Sequence, residues 1–306
     1  MSGSVCVVGS LNADLTFRST RLPSPGETLA AHGFQIGPGG KGANQAVMAA
    51  RLGAVVTMVG RVGVDPFGQQ LLHTLREQGV DTAHVGIDAT LPTGVAGILV
   101  DDDGRNCILV AAGANGSVTP DHVRAASDAI RAARVLLCQL EIPVEATLEA
   151  FRIARAAKVR TILTPAPVRE VPEELLRLTD VCVLNETEAN CLVGTGRSID
   201  AVAWALRQRG PAVVIVTLGE RGCFLSGSEG DGTFAAPTVT AVDTTGAGDA
   251  FVGALAVELA GGVPLGDAIP RAIAAAALSV TRPGAQASYP SRADVEAFLS
   301  VGLLLG

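Results

Sequence analysis

Short apolar runs and helix-like segments alternate along most of this 306-residue chain, and this alternation constrains the fold more than any other feature. Strands that alternate with helices form a mostly parallel sheet with helices on both faces, so the predicted class is α/β. The predicted strands are Val5–Val8, Thr57–Val59, Val135–Cys138, Thr161–Leu163, Val181–Leu184 and Val213–Thr217. The predicted helices are Gly42–Leu52, Pro66–Gln78, Val144–Ala157, Pro172–Leu178, Ala201–Arg209, Ala250–Leu259 and Asp267–Thr281.

The composition supports a folded protein and argues against a nucleic-acid partner. Hydrophobic residues make up 48% of the chain and charged residues 17%, enough to bury a large core and too apolar for disorder. The length fits one large or two medium domains. The net charge is −7 without a run of Lys or Arg, whereas a nucleic-acid surface needs a basic stripe.

Two stretches interrupt the alternation and are predicted to form a small separate β-sheet. Leu11–Ile36 has alternating polarity and turn residues, and Gly94–Val110 resembles a hairpin with its turn at Asp103-Gly104. Such a sheet fits a lid that excludes water from a site, the alternative being an ordinary edge extension. Asp101-Asp102-Asp103 is expected to be the solvated hairpin tip rather than a metal site.

The cysteines and the N-terminus both indicate a cytoplasmic protein. The six cysteines form no C-x-x-C pair, and Cys6, Cys107, Cys138 and Cys182 lie in strand-like runs, so we expect buried free thiols rather than disulfides or zinc ligands. The first residues lack the basic start and long apolar stretch of a signal peptide. No apolar stretch approaches the length of a membrane span, so no membrane partner is expected.

The segment Asp243–Asp249, DTTGAGD, has the features of a phosphate site beside a base. Gly246 and Gly248 allow a tight bend, and their N–H groups, with that of Ala247, can point at one anion at the start of a helix. Asp249 then lies in the first helical turn, where it can accept a hydroxyl proton during phosphoryl transfer. The alternative is a capping Asp after a Gly-rich turn.

The segment Gly39–Ala46, GGKGANQA, predicts a glycine-rich helix start that presents Lys41 and Asn44 to a neutral polyol. A dinucleotide fingerprint should follow the first strand directly, and Gly37–Gly42 lies far beyond it. A Walker A loop needs Ser or Thr after the Lys, where this chain has Gly42.

Polar residues after other predicted strands mark the same edge of the sheet, because ligands of open α/β sheets bind beyond the carboxyl ends of strands. Asp14 can hold two vicinal hydroxyls, although an Asx turn is the better explanation of this residue taken on its own. Asn185 fits a helix N-cap with Glu188 completing a capping box, a geometry that also places both near phosphates or Mg²⁺. Thr217–Gly222 is a strand end and tight turn of the kind that flanks a nucleotide.

These motifs together resemble the ribokinase group of the PfkB-type carbohydrate kinase family. The resemblance runs from about Val5 to Pro290 and depends most on Gly39–Ala46 and Asp243–Asp249. Supporting strings are Asn12–Asp14, Gly113–Asn115, Gln139–Glu141, Asn185–Glu188 and Arg282–Gln286. The resemblance implies a three-layer α/β/α domain over residues 1–306 with lid segments at about 11–38 and 91–112. It also implies ATP-dependent phosphorylation of the 5-hydroxyl of D-ribose, with 2-deoxyribose, fructose or a nucleoside as alternative acceptors.

The resemblance also implies a set of site residues, two cations and a homodimer joined through the lid. It gives Asp249 as base, Gly246, Ala247 and Gly248 as anion hole, and Asn12, Asp14, Gly40, Lys41, Asn44, Glu141 and Asp249 as sugar ligands. It places Asn185, Thr217, Gly219, Gly222 and Gly248 at ATP and Glu188 near its Mg²⁺. A K⁺ ion would lie at Asp243, Thr245, Ser279, Arg282, Gly284 and Ser288, mostly on backbone oxygens.

The chain departs from the family pattern at three positions, and two other functions fit parts of it. Thr164 and Leu184 stand where Asn and Pro are common, and Ile273 where a polar residue often faces the nucleotide. One alternative is a non-catalytic sugar-binding protein, against which the intact Asp243–Asp249 segment argues. The other is a dinucleotide oxidoreductase based on Gly37–Gly42, which the distance from the first strand opposes.

Overall fold

The computed structural model describes residues 3–228 and 230–302, with side chains up to residue 300, so Met1 and Ser2 of the N-terminal prediction lie outside it. The strands are β1 (Ser4–Val8), β2 (Asn12–Ser19), β3 (Gly33–Gly39), β4 (Val55–Gly63), β5 (Val80–Asp88), β6 (Gly94–Asp101), β7 (Asn106–Ala111), β8 (Val135–Gln139), β9 (Arg160–Thr164), β10 (Val181–Asn185), β11 (Val213–Thr217), β12 (Cys223–Gly227) and β13 (Gly230–Phe234). The helices are α1 (Lys41–Arg51), α2 (Pro66–Glu77), α3 (Pro120–Ala125), α4 (Ser127–Ala132), α5 (Val144–Ala156), α6 (Glu173–Arg177), α7 (Glu186–Val193), α8 (Ile199–Gln208), α9 (Ala247–Ala260), α10 (Leu265–Ser279) and α11 (Arg292–Gly302). Short 3-10 turns occur at Gly113–Ser117, Gly219–Arg221 and Gln286–Ser288.

A nine-stranded sheet forms the centre of the molecule, in the order β13-β12-β11-β10-β9-β8-β1-β4-β5. Seven neighbouring strands of this sheet pair in parallel, namely β5, β4, β1, β8, β9, β10 and β11. Strands β12 and β13 add an antiparallel hairpin beside β11. The predicted α/β class is confirmed, and each predicted strand and helix is present, most of them with shifted ends. Strand β5, the β12–β13 hairpin and helices α3, α4 and α11 were not predicted.

Helices cover both faces of this sheet because successive strand residues point to opposite faces. Val5 and Val7 of β1 face a core shared with α1, α2, α9, α10 and α11, whereas Cys6 and Val8 face a core under α3 to α6. A third apolar cluster lies under α7 and α8 beside β10 and β11. The result is the three-layer α/β/α arrangement.

A separate four-stranded sheet, in the order β3-β2-β6-β7, occupies the two segments that were predicted to form a lid. Its hairpin turns at the expected place, since Gly104 has φ +79° and its N–H donates to Asp101 O. The carboxylate of Asp101 is buried and accepts the N–H groups of Asp103 and Arg105, so this part of the tip is not solvated as expected.

The cysteine prediction holds in part. All six cysteines are free, and Cys6, Cys138, Cys182 and Cys223 are buried. Cys107 is exposed, contrary to expectation, because every residue of the lid strand β7 is exposed. Within the described ranges, no helix has the length and hydropathy that a membrane span needs.

Candidate active site

The predicted catalytic loop enters α9 through a left-handed residue. Gly246 has φ +77°, and a Cβ there would lie 2.7 Å from the Tyr289 hydroxyl, so this position requires glycine. Tyr289 Oη donates to Gly246 O at 3.1 Å, and the N–H of Ala247 donates to Thr244 O at 3.2 Å. A Cβ on Gly248 would meet no protein atom within 4 Å, so the start of α9 borders open space, as an anion site requires.

The Asp249 carboxylate lies in the first turn of α9, is only 7% exposed and accepts two amide N–H groups. Asn44 Nδ2 donates to Oδ2 at 3.0 Å, and Gln45 Nε2 donates to Oδ1 at 2.9 Å. The two donors hold the carboxylate in one direction at the start of α9.

The predicted sugar ligands converge on one side of Asp249. Glu141 accepts hydrogen bonds from the N–H of Lys41, at 3.0 Å, and from the hydroxyl of Ser10. The bond with Lys41 joins the segment after β8 to the start of α1. Glycines bring the lid strand β2 close, because a Cβ on Gly40 would lie 2.7 Å from the N–H nitrogen of Asn12. The carboxylate of Asp14 lies against Gly39 in the same way.

The charges of this cluster perturb one another. Burial raises the pKa of Asp14 to about 7, and the nearby carboxylates of Glu141 and Asp249 add to the effect. The charge of Asp249 raises the pKa of Lys41 against the opposing effect of burial, and Glu141 and Glu188 contribute. Lys41 is therefore a permanent cation among carboxylates, whereas Asp14 changes protonation near neutral pH.

A cleft of about 550 Å³ opens on the other side of the α9 N-terminus. Of the predicted ATP ligands, Thr217, Gly219, Gly222 and Gly248 line it, and so does Ile273, the apolar departure noted above. Its remaining wall includes Thr238, Thr244, Phe251, Ala277 and Val280, which the sequence had not suggested. Asp249 thus lies between a polar cluster and a largely apolar cleft.

Asn185 and Glu188 form the predicted capping box at the start of α7. Asn185 Oδ1 accepts the Glu188 N–H at 2.8 Å, and Glu188 Oε2 accepts the Asn185 N–H at 2.9 Å. Asn185 pairs with Thr217 across β10 and β11, although it is not among the residues that line the cleft. The capping role is therefore the one seen in the structure.

Three of the residues predicted to hold K⁺ meet at the carboxylate of Asp243. This carboxylate accepts the N–H groups of Thr245 and Gly284, each at 2.9 Å, and so joins the catalytic loop to the chain after α10. Burial raises the pKa of Asp243, but these hydrogen bonds outweigh burial and lower that pKa overall. Ser279 and Ser288 are also buried, but their hydroxyls donate to Ala276 O and Ala285 O, each at 2.8 Å, rather than to Asp243.

Four polar residues of the site were not singled out from sequence. Gln45, Gln139 and Gln286 belong to the amide network around Asp249, and Asn115 forms hydrogen bonds where the lid strand β2 begins. Asn115 accepts the N–H of Leu11 at 2.9 Å and donates to Asn12 Oδ1 at 2.8 Å. All four lie in motif strings quoted above, but their positions in those strings do not reveal these contacts.

Known proteins resemble this chain over nearly its full length. Mouse (Mus musculus) ribokinase is 40% identical over 303 residues, covering 96% of this chain and 94% of that protein. A deoxyribokinase of Salmonella typhi is 36% identical over 302 residues, covering 97% and 99%.

Solved structures also resemble this chain over nearly its full length. Ribokinase from Thermotoga maritima superposes with a TM-score of 0.90 at 37% identity, covering 97% of this chain and 99% of that one. Arabidopsis thaliana ribokinase complexed with ribose and ATP superposes with a TM-score of 0.90 at 34% identity, covering 98% and 99%. The model of the pfkB family carbohydrate kinases matches residues 2–292. The chain therefore belongs to the pfkB family of carbohydrate kinases.

Proposed function

We propose that this protein transfers the γ-phosphoryl group of ATP to the 5-hydroxyl of D-ribose, giving D-ribose 5-phosphate and ADP. The observation that carries the proposal is the position of Asp249. Amides hold both of its oxygens, and it lies between the polar cluster of predicted sugar ligands and the cleft lined by Thr217 and Gly248. The relatives that combine ribose and ATP support the choice of substrates over the alternatives.

In the proposed reaction, Asn12, Asp14, Gly40, Lys41, Asn44 and Glu141 hold the sugar. Asp249 takes the proton of the acceptor hydroxyl while that oxygen forms its bond to the γ-phosphorus and the bond to the ADP oxygen breaks. The N–H groups of Gly246–Gly248 and the positive end of α9 stabilise the charge on the transferred group.

Two cations belong to the proposal. Mg²⁺ would come with ATP, near Glu188, and neutralise charge between its phosphates. K⁺ would be held by the Asp243 cluster, where it would order the loop that carries the anion hole. We expect higher kcat in KCl than in NaCl at equal ionic strength, and equal rates would argue against the ion site.

The acceptor is tested by a coupled ADP-release assay with a panel of sugars. The expected result is a higher kcat/KM for ribose than for 2-deoxyribose, since a site that bonds the 2-hydroxyl loses that bond with the deoxy sugar. A higher kcat/KM for 2-deoxyribose or fructose would reassign the acceptor, and no turnover of any sugar would reject the proposal.

The role of Asp249 is tested by Asp249→Asn, which keeps the shape of the side chain and removes its basicity. We expect kcat to fall by about 10²–10⁴-fold, the usual contribution of a general base. The melting temperature should fall by only a few degrees, because the new amide NH₂ faces one of the two N–H donors that Asp249 accepts. A kcat like that of the wild type would remove Asp249 from this role.

The oligomer and the compartment are proposed on separate grounds. A homodimer formed through the lid is favoured by the large apolar side chains that the lid exposes, among them Phe34, Ile36 and Leu109. A cytoplasmic location is favoured by the six free cysteines, since reduced thiols are characteristic of that compartment. Residues 1–306 are proposed to form one domain with the lid segments inserted in it.

A further inference from the structure

Both oxygens of the Asp249 carboxylate are held by side-chain amides, but only one of these amides belongs to a proposed sugar ligand. Asn44 donates to Oδ2 and is 6% exposed. Gln45 donates to Oδ1 and is 0% exposed, so neither sugar nor nucleotide can touch it. The side-chain amide of Gln45 bonds Asp249 and Gln139, so Asp249 is the group through which it reaches the proposed reaction.

A second pair of amides fixes which end of Asn44 and Gln45 faces the carboxylate. Gln139 Nε2 donates to Gln45 Oε1, and Gln286 Nε2 donates to Asn44 Oδ1 at 2.9 Å. A side-chain amide has one acceptor end and one donor end, so an amide whose oxygen is taken presents its N–H groups to Asp249. A Cβ on Gly9 would lie 2.2 Å from Gln139 Oε1, so glycine at this position leaves room for the Gln139 amide.

We propose that Gln45, oriented by Gln139, is a positioning residue of the phosphoryl transfer, which fixes the direction of the Asp249 carboxylate. The inference rests on the proposed role of Asp249 as base. Hydrogen bonds to an ionised acceptor are roughly twice as strong as neutral ones. Misplacing a reacting group by about 1 Å can cost about 10²-fold in rate, so a carboxylate free to rotate is a poorer base.

The test is Gln45→Met, which keeps the length of the side chain and removes its N–H donor, assayed with ribose and ATP. We expect kcat to fall by about 10- to 100-fold and KM values to change less than about threefold, a split that a general loss of structure would not give. Gln139→Met removes the amide that orients Gln45 and should give a smaller loss of the same kind. Gln70→Met, on the exposed surface of α2, is the control and should leave kcat and KM unchanged.

A folded Gln45→Met enzyme with the wild-type kcat would overturn the inference. If that variant does not fold, Gln139→Met decides the matter, because Gln45 then keeps its N–H donor but loses the partner that orients it, and a wild-type kcat in that variant would overturn the inference. A failure of the proposed function would give a different pattern of activities in the two variants. An active Asp249→Asn enzyme would reject Asp249 as base, whereas an inactive one beside a normal Gln45→Met enzyme would reject only the role of Gln45.

Discussion

At the scale of single residues, two neighbouring glycines of the catalytic loop have different physical reasons to be glycine. Gly246 has a left-handed backbone and no room for a Cβ, whereas Gly248 has neither restriction from the protein itself. The space beside Gly248 therefore matters for the proposed phosphate rather than for folding.

This difference predicts opposite results for the two alanine variants. Gly248→Ala should melt within a few degrees of the wild type, yet lose about 10²-fold in kcat because its methyl group enters the proposed anion site. Gly246→Ala should lower the free energy of unfolding by about 1–2 kcal/mol or more, from the left-handed backbone and the contact with Tyr289. Thermal unfolding and steady-state kinetics measure both, and a fully active Gly248→Ala enzyme would contradict the assigned anion hole.

Asp14 gives a prediction for pH dependence. Its pKa of about 7 in the folded protein lies above its value in the unfolded chain, near 4. Between those values the folded protein keeps a proton that the unfolded chain releases, so this group lowers the free energy of unfolding as pH rises from about 4 to about 7.

Asp14→Asn should therefore stabilise the sugar-free protein at pH 8 by roughly 2 kcal/mol, a figure reduced for the partial exposure of Asp14, and by almost nothing at pH 4. Asp128→Asn is the control, since its carboxylate is 99% exposed and should show no such pH-dependent gain. Melting temperatures measured across this pH range check the prediction, and an equal effect of Asp14→Asn at both ends would contradict it.

At the scale of elements, the contact between α1 and α9 places the amides on the catalytic carboxylate. A Cβ on Gly253 of α9 would lie 2.8 Å from Gln45 O and 2.8 Å from Met48 Cβ. Glycine at this position therefore lets the two helices approach closely enough for Asn44 and Gln45 to reach Asp249.

Gly253→Ala should force these helices apart, lower the free energy of unfolding by about 1–3 kcal/mol and reduce kcat. Gly266→Ala in α10 is a matched control, since a Cβ there meets nothing within 4 Å and alanine favours helices. That control should be as stable and as active as the wild type. Chemical denaturation and kcat measure both variants, and a Gly253→Ala enzyme with normal stability and kcat would show that the helix contact is not limiting.

At the scale of the whole molecule, the strand register of the lid separates a face toward the sugar cluster from an apolar outer face. Asp14 lies beside Gly37 and Ala96, whereas the adjacent row, on the opposite face, contains Ile36, Leu15, Gly97 and Leu109. The next row of that outer face contains Phe17 and Phe34, whose rings are tilted by 38° with centroids 4.8 Å apart. An exposed apolar sheet face of this kind fits a second copy of the chain.

Leu109 is 76% exposed on the outer face, so Leu109→Lys should convert the proposed dimer into a monomer. Trp204→Lys on α8 is the control, because Trp204 is also exposed but lies outside the lid, and it should leave the dimer intact. Sedimentation velocity measures the mass of each, and a monomeric wild-type protein would contradict lid-mediated association.

Much of the architecture was predictable because it depends on local patterns. Strand and helix periods in the sequence set which residues face the core, and the Asp103-Gly104 turn set the lid hairpin. The hairpin of β12 and β13 was not predicted, because β13 contains several glycines and polar residues and lacks an apolar run. Cys107 was placed wrongly, because a strand-like apolar run does not reveal that its sheet stands outside the core.

The sequence by itself determined the strand–helix order, the lid segments and the motifs that resemble pfkB family kinases, since each of these depends on residues close together in the chain. Only the tertiary structure decided how those motifs act on one another. Asn44 and Gln45 meet Asp249 across 205 and 204 residues of chain, and Gln139 meets Gln45 across 94. Such contacts depend on how α1 packs against α9 and on which sheet edge β8 reaches. Both depend on how distant parts of the chain pack together, which the local pattern of apolar residues does not determine.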